Sequence, residues 1–333
     1  MASLLARVRR TQLWRFAAVS RRTQAGLIIV GVWVLAAVIA PLAAPYSPVQ
    51  PHPALWQPPS GRFLLGTDGD GFDIFSRILW APRIDLTIAL ASTAMAVVIG
   101  VPTGAFAGYF GGRRGPLGAT AAVVMRIVDV SLAFPVFVFA LTLTGMLGPT
   151  LGNLIAALTF VSIPPLVWLT RSQVLSVREM TFVEAARCSG NSEWRAVLRH
   201  VLPNSVAAPL AQLSVILGGA ILATAGLSFI GAGVRIPTPE WGQMISEGSS
   251  ALITGQWWAS VFPGIALGSC VLGFALLGDG LRIYLDPKQR RQSERSVAGL
   301  PLESAAEALA GYSTLDVTDT AGATPHHTAS VSP

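Results

Sequence analysis

The chain has 333 residues, 52% hydrophobic and only 12% charged, a balance that excludes an ordinary soluble domain and points to an integral membrane protein. A net charge of +6 would suit a nucleic-acid binder, but the 23 basic residues, all arginine except Lys288, stand beside apolar stretches and not on one soluble face. Nucleic acid is therefore excluded as a partner, and the lipid bilayer takes its place.

Residues 1–24 carry six arginines and no acid, the signature of a cytoplasmic N-terminal segment. The apolar run from Ala25 to Ala44 is long enough to span about 30 Å of hydrocarbon. Its end resembles a signal-peptide cleavage region, yet the run exceeds a typical h-region and reads as an uncleaved first span. Pro45 to Arg83 is polar and holds seven prolines, which makes it an external loop, so residues 25–85 comprise the first span and that loop. Within it, Asp68, Asp70 and Asp73 alternate with glycines as in a calcium loop, but the twelfth position is Leu79 instead of glutamate, which excludes that reading.

Residues 86–286 hold five further spans. The second, Leu86 to Phe110, is rich in alanine and glycine, which permits close helix approach. A short turn with Arg113 and Arg114 leads to the third, Leu117 to Leu147, which is longer than a bilayer requires. Arg126 and Asp129, three apart, are expected to pair on one helix face. Alone in hydrocarbon each would cost about 2.5–3.5 kcal/mol, so a structural ion pair near the inner end is preferred over a transport site. Gly148 to Thr150 is an external turn, and Leu151 to Thr170 is the fourth span, with Pro164 and Pro165 inside it.

Residues 178–204 hold four arginines and three glutamates, too many for a span. Thr181 to Ser189 is a helical stretch that ends at Gly190. Trp194, Val197, Leu198 and Val201 follow at i, i+3, i+4, i+7, one apolar stripe on a second short helix, which Pro203 is expected to stop. This predicts two amphipathic helices lying across the inner membrane face. Glu184-Ala185-Ala186, Gly190, His200 and Leu202-Pro203, at their spacings, resemble the EAA loop of ABC importer permeases. A lipid-surface helix is the plainer alternative.

Ser205 to Ile230 is the fifth span, Gly231 to Gln256 an external loop, and Trp257 to Tyr284 the sixth span, with Asp279 and Arg282 near its inner end. Residues 287–333 are polar, without apolar periodicity, and read as a mobile cytoplasmic tail. Six spans put both termini in the cytoplasm, with 19 of the basic residues inside and four outside. Cys188 and Cys270 supply no disulfide framework, and no histidine lies in a span, so neither a metal nor another cofactor is expected.

The segments GVPTGAFAGYFGG, RIVDVSLAFP, AGLSFIGAGV and LLGDGLRIYLDP resemble the C-type permease of dipeptide, oligopeptide and nickel importers, so that Leu64 to Pro287 is similar to that family throughout. The resemblance implies an all-α membrane protein of the type I importer permease fold in the bacterial inner membrane. It implies a second homologous permease, two ABC ATPase subunits and an extracytoplasmic substrate-binding protein as partners. It further implies that Glu184, Ala185, Ala186, Arg187, Gly190, Leu202 and Pro203 form the ATPase-coupling surface. Gln212, Ser214 and Thr224, the polar residues of the fifth span, are candidates for the substrate path, with helix packing as the alternative.

Other classes fit less well. A hydrolase needs a nucleophile with a base, and no span contains a histidine. A self-sufficient transporter would want several ionisable groups at mid-membrane, where only Arg126 and Asp129 come near. A Walker A loop needs lysine between glycine and serine or threonine, and Lys288 stands between Pro287 and Gln289. The chain is thus not expected to be an enzyme, and ATP hydrolysis belongs to another polypeptide.

Overall fold

The computed structural model describes residues 20–285, so the expectations for most of the N-terminal segment and for the 287–333 tail fall outside the described residues. The described chain is helical, and six of its helices are long and apolar enough to cross a membrane. The first, α1 (Arg21–Ala43), starts at Ser20, whose hydroxyl accepts from the amide of Thr23 at 3.1 Å. It is held to the last helix by Trp33, whose ring N–H donates to Ser269 at 3.0 Å.

The second helix corrects the sequence reading. Instead of beginning near Leu86, α2 runs Ile74–Phe110, 37 residues or about 55 Å, so its first turns rise beyond a ~30 Å hydrocarbon core. The cause is at its start. Asp73 caps it by accepting from the amide of Ser76 at 2.8 Å, and Ile74, Ile78 and Ala81 are buried, which offsets the hydrogen bond lost at Pro82.

The expected third span is two helices, α3 (Pro116–Ala133) and α4 (Val136–Leu147). Phe134 and Pro135 between them are extended, with ψ of 130° and 126°. Pro135 has no N–H to continue the ladder and disfavours a helical residue before it. The expected Arg126–Asp129 ion pair is also absent: Arg126 is exposed, Asp129 half-buried, and no ion pair joins them.

The fourth span, α5 (Leu151–Arg178), extends two turns past Thr170 and forms the most extensive seam among the described helices against α2. Gly100, Gly104 and Gly108 of α2 line that seam one turn apart. A Cβ at Gly104 would come within 2.6 Å of the Val167 carbonyl, so only glycine lets the two backbones approach this closely.

At the other end of the chain, α9 (Ala207–Phe229) and α11 (Trp258–Leu285) pack together. The segment between them, read only as a loop, contains α10 (Trp241–Ser249). Glu240 caps α10, accepting from Gly242 and Gln243 at 2.8 and 2.7 Å, and Trp241 is wholly buried edge-on to Trp33 at 4.9 Å. The aspartate-rich loop is equally built in. Asp68 accepts from the amide of Phe72 at 2.8 Å and from the buried Arg77 guanidinium at 2.9 Å, while Glu247 of α10 lies 3.7 Å from the same guanidinium. Burial pushes the Asp68 carboxyl above its ordinary range, and Arg77 draws it back. Asp68 and Asp73 thus hold the loop to α2.

Candidate functional site

The polar loop between α5 and α9 folds as α6 (Thr181–Cys188), a glycine turn, α7 (Glu193–Ala196), a π-turn (Val197–Val201) and α8 (Leu202–Ser205). Two short helices joined at Gly190 are thus present. Gly190 has φ +83°, with its N–H donating to the Arg187 carbonyl at 3.0 Å, a left-handed helix end that a side chain would strain. Asn191 closes the turn by donating its side-chain amide to the Ala186 carbonyl at 2.9 Å. Ser192 starts α7 with its hydroxyl accepting from Arg195.

Pro203 does not stop the second helix, as the sequence led us to expect. It occupies the first turn of α8, where its missing N–H costs nothing, and the wider π-turn before it hands the chain on. That turn also splits the apolar stripe. Val197 and Val201 are buried, together with Ala196, whereas Leu198 is 61% exposed. Trp194 remains half outside, leaning on Phe110 at 5.1 Å between ring centres.

One face of the loop is fixed to the bundle. Val183, Ala196, Val197 and Val201 form a single buried cluster with Ala105, Tyr109 and Phe110 of α2 and Val174 and Val177 of α5. Polar contacts reinforce it. The Tyr109 hydroxyl donates to Glu193 and accepts from Nε of Arg187 at 3.2 Å, and Arg113 pairs with Glu193 at 3.1 Å. Nη1 of Arg178 donates to the Gly108 carbonyl in the last turn of α2 at 2.9 Å and to that of Gly111, just beyond it, at 3.2 Å. The Tyr109 hydrogen bond holds the Glu193 carboxyl below its usual range, with Arg113 and Arg187 adding to the effect.

The opposite face carries the residues singled out from the sequence. Glu184 and Ala185 are exposed, Gly190 is exposed with open space beside it, and Phe182 is 41% exposed. Ala186 is buried on the inner face, Arg187 is tied to Tyr109, Leu202 packs against the buried cluster, and Pro203 is exposed. The loop therefore gathers the expected residues but divides them between anchoring and display. The anchors Tyr109, Arg113 and Glu193 were not legible in the sequence, because Glu193 lies 84 residues from Tyr109 and no local pattern links them.

The three path candidates are placed differently. Gln212 accepts from Arg282 of α11 at 3.2 Å, Ser214 lies beside Gly278 of α11, and the buried Thr224 hydroxyl donates to the Ala220 carbonyl at 2.8 Å. The Gln212 and Ser214 contacts join α9 to α11, whereas the Thr224 bond lies within α9 itself. Among the described residues no group of three or more histidine, cysteine, aspartate or glutamate side chains is placed to hold a metal ion.

Comparison with known proteins agrees with this architecture. Residues 100–291 match the family described as binding-protein-dependent transport system inner membrane component. The chain is 39% identical to a dipeptide transport system permease protein of Alkalihalophilus pseudofirmus, over 80% of this chain and 85% of that one. It is 38% identical to a probable D,D-dipeptide transport system permease protein of Escherichia coli (80% and 87% covered). A glutathione transport system permease protein of Pectobacterium atrosepticum is also 38% identical (69% and 74% covered). Among solved structures, a chain of the inward-facing MetNI methionine ABC transporter superimposes with a TM-score of 0.53 at 16% identity, covering 63% of this chain and 96% of that one, which shows the shared fold. The chain belongs to the family of binding-protein-dependent transport system inner membrane components.

Proposed function

We propose that this permease forms, with a second homologous permease, the translocation path of a peptide importer, and that residues 181–203 couple it to cytoplasmic ATPase subunits. Both termini then lie in the cytoplasm, a reading supported by the 19-to-4 distribution of basic residues. Peptide is the substrate favoured by the relatives, whose names specify dipeptides, D,D-dipeptides and glutathione.

The observation that carries the coupling reading is the two-faced loop. Its inner face is locked to α2 and α5 by a buried apolar cluster and by Tyr109, so a push on its outer face would be transmitted to the spans and not absorbed by the loop. That outer face presents a carboxylate, Glu184, beside the small Ala185, which lets a groove on a partner close over it. ATP binding and hydrolysis on the partner would rock the spans between outward- and inward-open states, with the extracytoplasmic binding protein delivering the peptide.

The test uses Glu184→Lys and Ala185→Leu, neither of which disturbs a buried contact. Each permease pair is purified with its ATPases, and the bound ATPase and the hydrolysis stimulated by loaded binding protein are measured. About a tenfold loss of bound ATPase is expected, corresponding to one interface anchor. Normal stoichiometry together with normal stimulation in both variants would overturn the coupling assignment and leave a helix resting on lipid headgroups.

A further inference from the structure

Helix α10 is tied to α2 at two points, and the two ties differ in charge. Towards its C-terminal end, Glu247 lies 3.7 Å from the buried Arg77 guanidinium, an attraction between opposite charges. At its start, Glu240 meets Asp85, about two turns further along α2, and the two carboxyls are hydrogen-bonding partners. Both are wholly buried, and neither has an ion pair among the described residues. Their surroundings bring no cation. The span α9 has no charged side chain, the two arginines of α1 stand in its first turn, and α11 presents the buried thiol of Cys270 to Asp85. On α2 itself Arg77 is taken up by Asp68 and Glu247, while Arg83 and Arg235 are exposed. Two buried carboxylates with no cation between them cannot both stay ionised, so the pair must hold a proton.

The hydrogen bonds say where that proton sits. Oε1 and Oε2 of Glu240 accept from the amides of Gly242 and Gln243 at 2.8 and 2.7 Å, which favours a carboxylate there. Asp85 Oδ2 accepts from the amide of Trp241 at a long 3.4 Å, and its Oδ1 is buried with no donor. An orphaned carboxylate oxygen is costly, whereas a protonated one becomes a donor that Glu240 satisfies. We infer that Asp85 carries this proton, donates it in a hydrogen bond to Glu240, and thereby latches α10 to α2 in a pH-dependent way. The latch matters because α10 is a wedge. A Cβ at Gly242 would strike the backbone of Ala225 in α9, and one at Gly248 the backbone of Ala259 in α11, so freeing α10 loosens α2, α9 and α11 together. Asp85 lies about 38 Å along α2 from Phe110, so the latch is at the end of the bundle opposite the polar loop. The closed latch keeps one proton, and separated, hydrated carboxyls release it to water. It is therefore complete in acid, below the ordinary carboxylate range, and opens about tenfold more readily with each pH unit above it.

The experiment takes two readings on the purified importer, and neither depends on what it transports. Infrared difference spectra of the native protein against Asp85→Asn at neutral pH should show one protonated carboxylic acid, seen by its carbonyl stretch, that the variant lacks. Hydrogen exchange then follows residues 241–249 from neutral to alkaline pH, with each rate divided by its intrinsic chemical rate and the α2–α5 seam as reference. In the native protein the opening of α10 should rise about tenfold per pH unit while the seam stays constant. Asp85→Asn, whose amide can donate to Glu240 at any pH, should keep α10 closed and abolish the rise. A flat native profile would overturn the inference without recourse to a variant. Absence of the acid band would overturn it too, by putting a bound cation or water in the proton's place. An equal rise in Asp85→Asn would do the same, by moving the titrating group elsewhere.

Discussion

Replacing Tyr109 with phenylalanine isolates the polar part of the loop anchor, since the ring stays in the buried cluster and only the hydroxyl is lost. That hydroxyl serves Glu193 and Arg187 at once. A hydrogen bond to a charged group contributes about 1.5–3 kcal/mol when sheltered. Here the side chains of Glu193 and Arg187 are 48% and 34% exposed, so solvent screening reduces the figure to about 1.4 kcal/mol, a tenfold change in an opening equilibrium. Hydrogen exchange on the purified importer reads that equilibrium directly. Amides of residues 181–201 should exchange about tenfold faster in Tyr109→Phe, with those of the α2–α5 seam unchanged. Unaltered exchange in the loop would show that the apolar cluster alone holds it. Acceleration that spread through α5 would show that Tyr109 supports the bundle instead of the loop.

Acid should mimic that substitution. The Glu193 carboxyl is held below its ordinary value of 4.5, so its contribution is complete above that pH and is lost as pH falls through the lowered folded value. Loop exchange should therefore quicken below pH 4.5 in the native chain and much less in Glu193→Gln. Gly104→Leu forces a side chain into a space where a Cβ alone would sit 2.6 Å from the Val167 carbonyl, and a cost of at least about 1–3 kcal/mol is expected. Thermal unfolding followed by thiol labelling reads that cost, using the buried Cys270 in a Cys188→Ser background, and an unchanged midpoint would contradict the close seam. In the same assay Arg77→Met, which strands the buried Asp68 carboxylate, should cost about 3–5 kcal/mol. Adding Asp68→Asn should recover part of that loss, and no recovery would mean that Arg77 acts through Phe72 packing instead of through charge.

Much of this protein was legible in one dimension because a bilayer imposes a local rule. Any stretch that crosses it must satisfy its own backbone and be apolar for about 20 residues, so all six candidate spans fall on stretches located from composition, although the second starts earlier and the third ends at Ala133. The polar loop of residues 178–204 was legible for the complementary reason: its arginines and glutamates cannot lie in hydrocarbon, and Gly190 marks a turn that only a residue tolerating φ +83° can make. Pro135 was visible too, yet its consequence was not, since prolines 164 and 165 sit within an unbroken α5 while Pro135 ends a helix. What differs is the support from neighbouring helices, which a sequence does not display.

The amino-acid sequence by itself determined the spans, the loop and the family, because each depends on residue type within a short window. Tertiary structure alone decided which polar groups are consumed in packing and which are left to act. Gln212 looked available but is engaged by Arg282, 70 residues away, whereas Arg126 looked paired but makes no ion pair with any described residue. Burial depends on partners brought in from far along the chain, as with Tyr109 and Glu193, 84 residues apart. Long-range packing carries no local signature, so the division of the loop into an anchored face and a displayed one emerges only when α2 and α5 close around it.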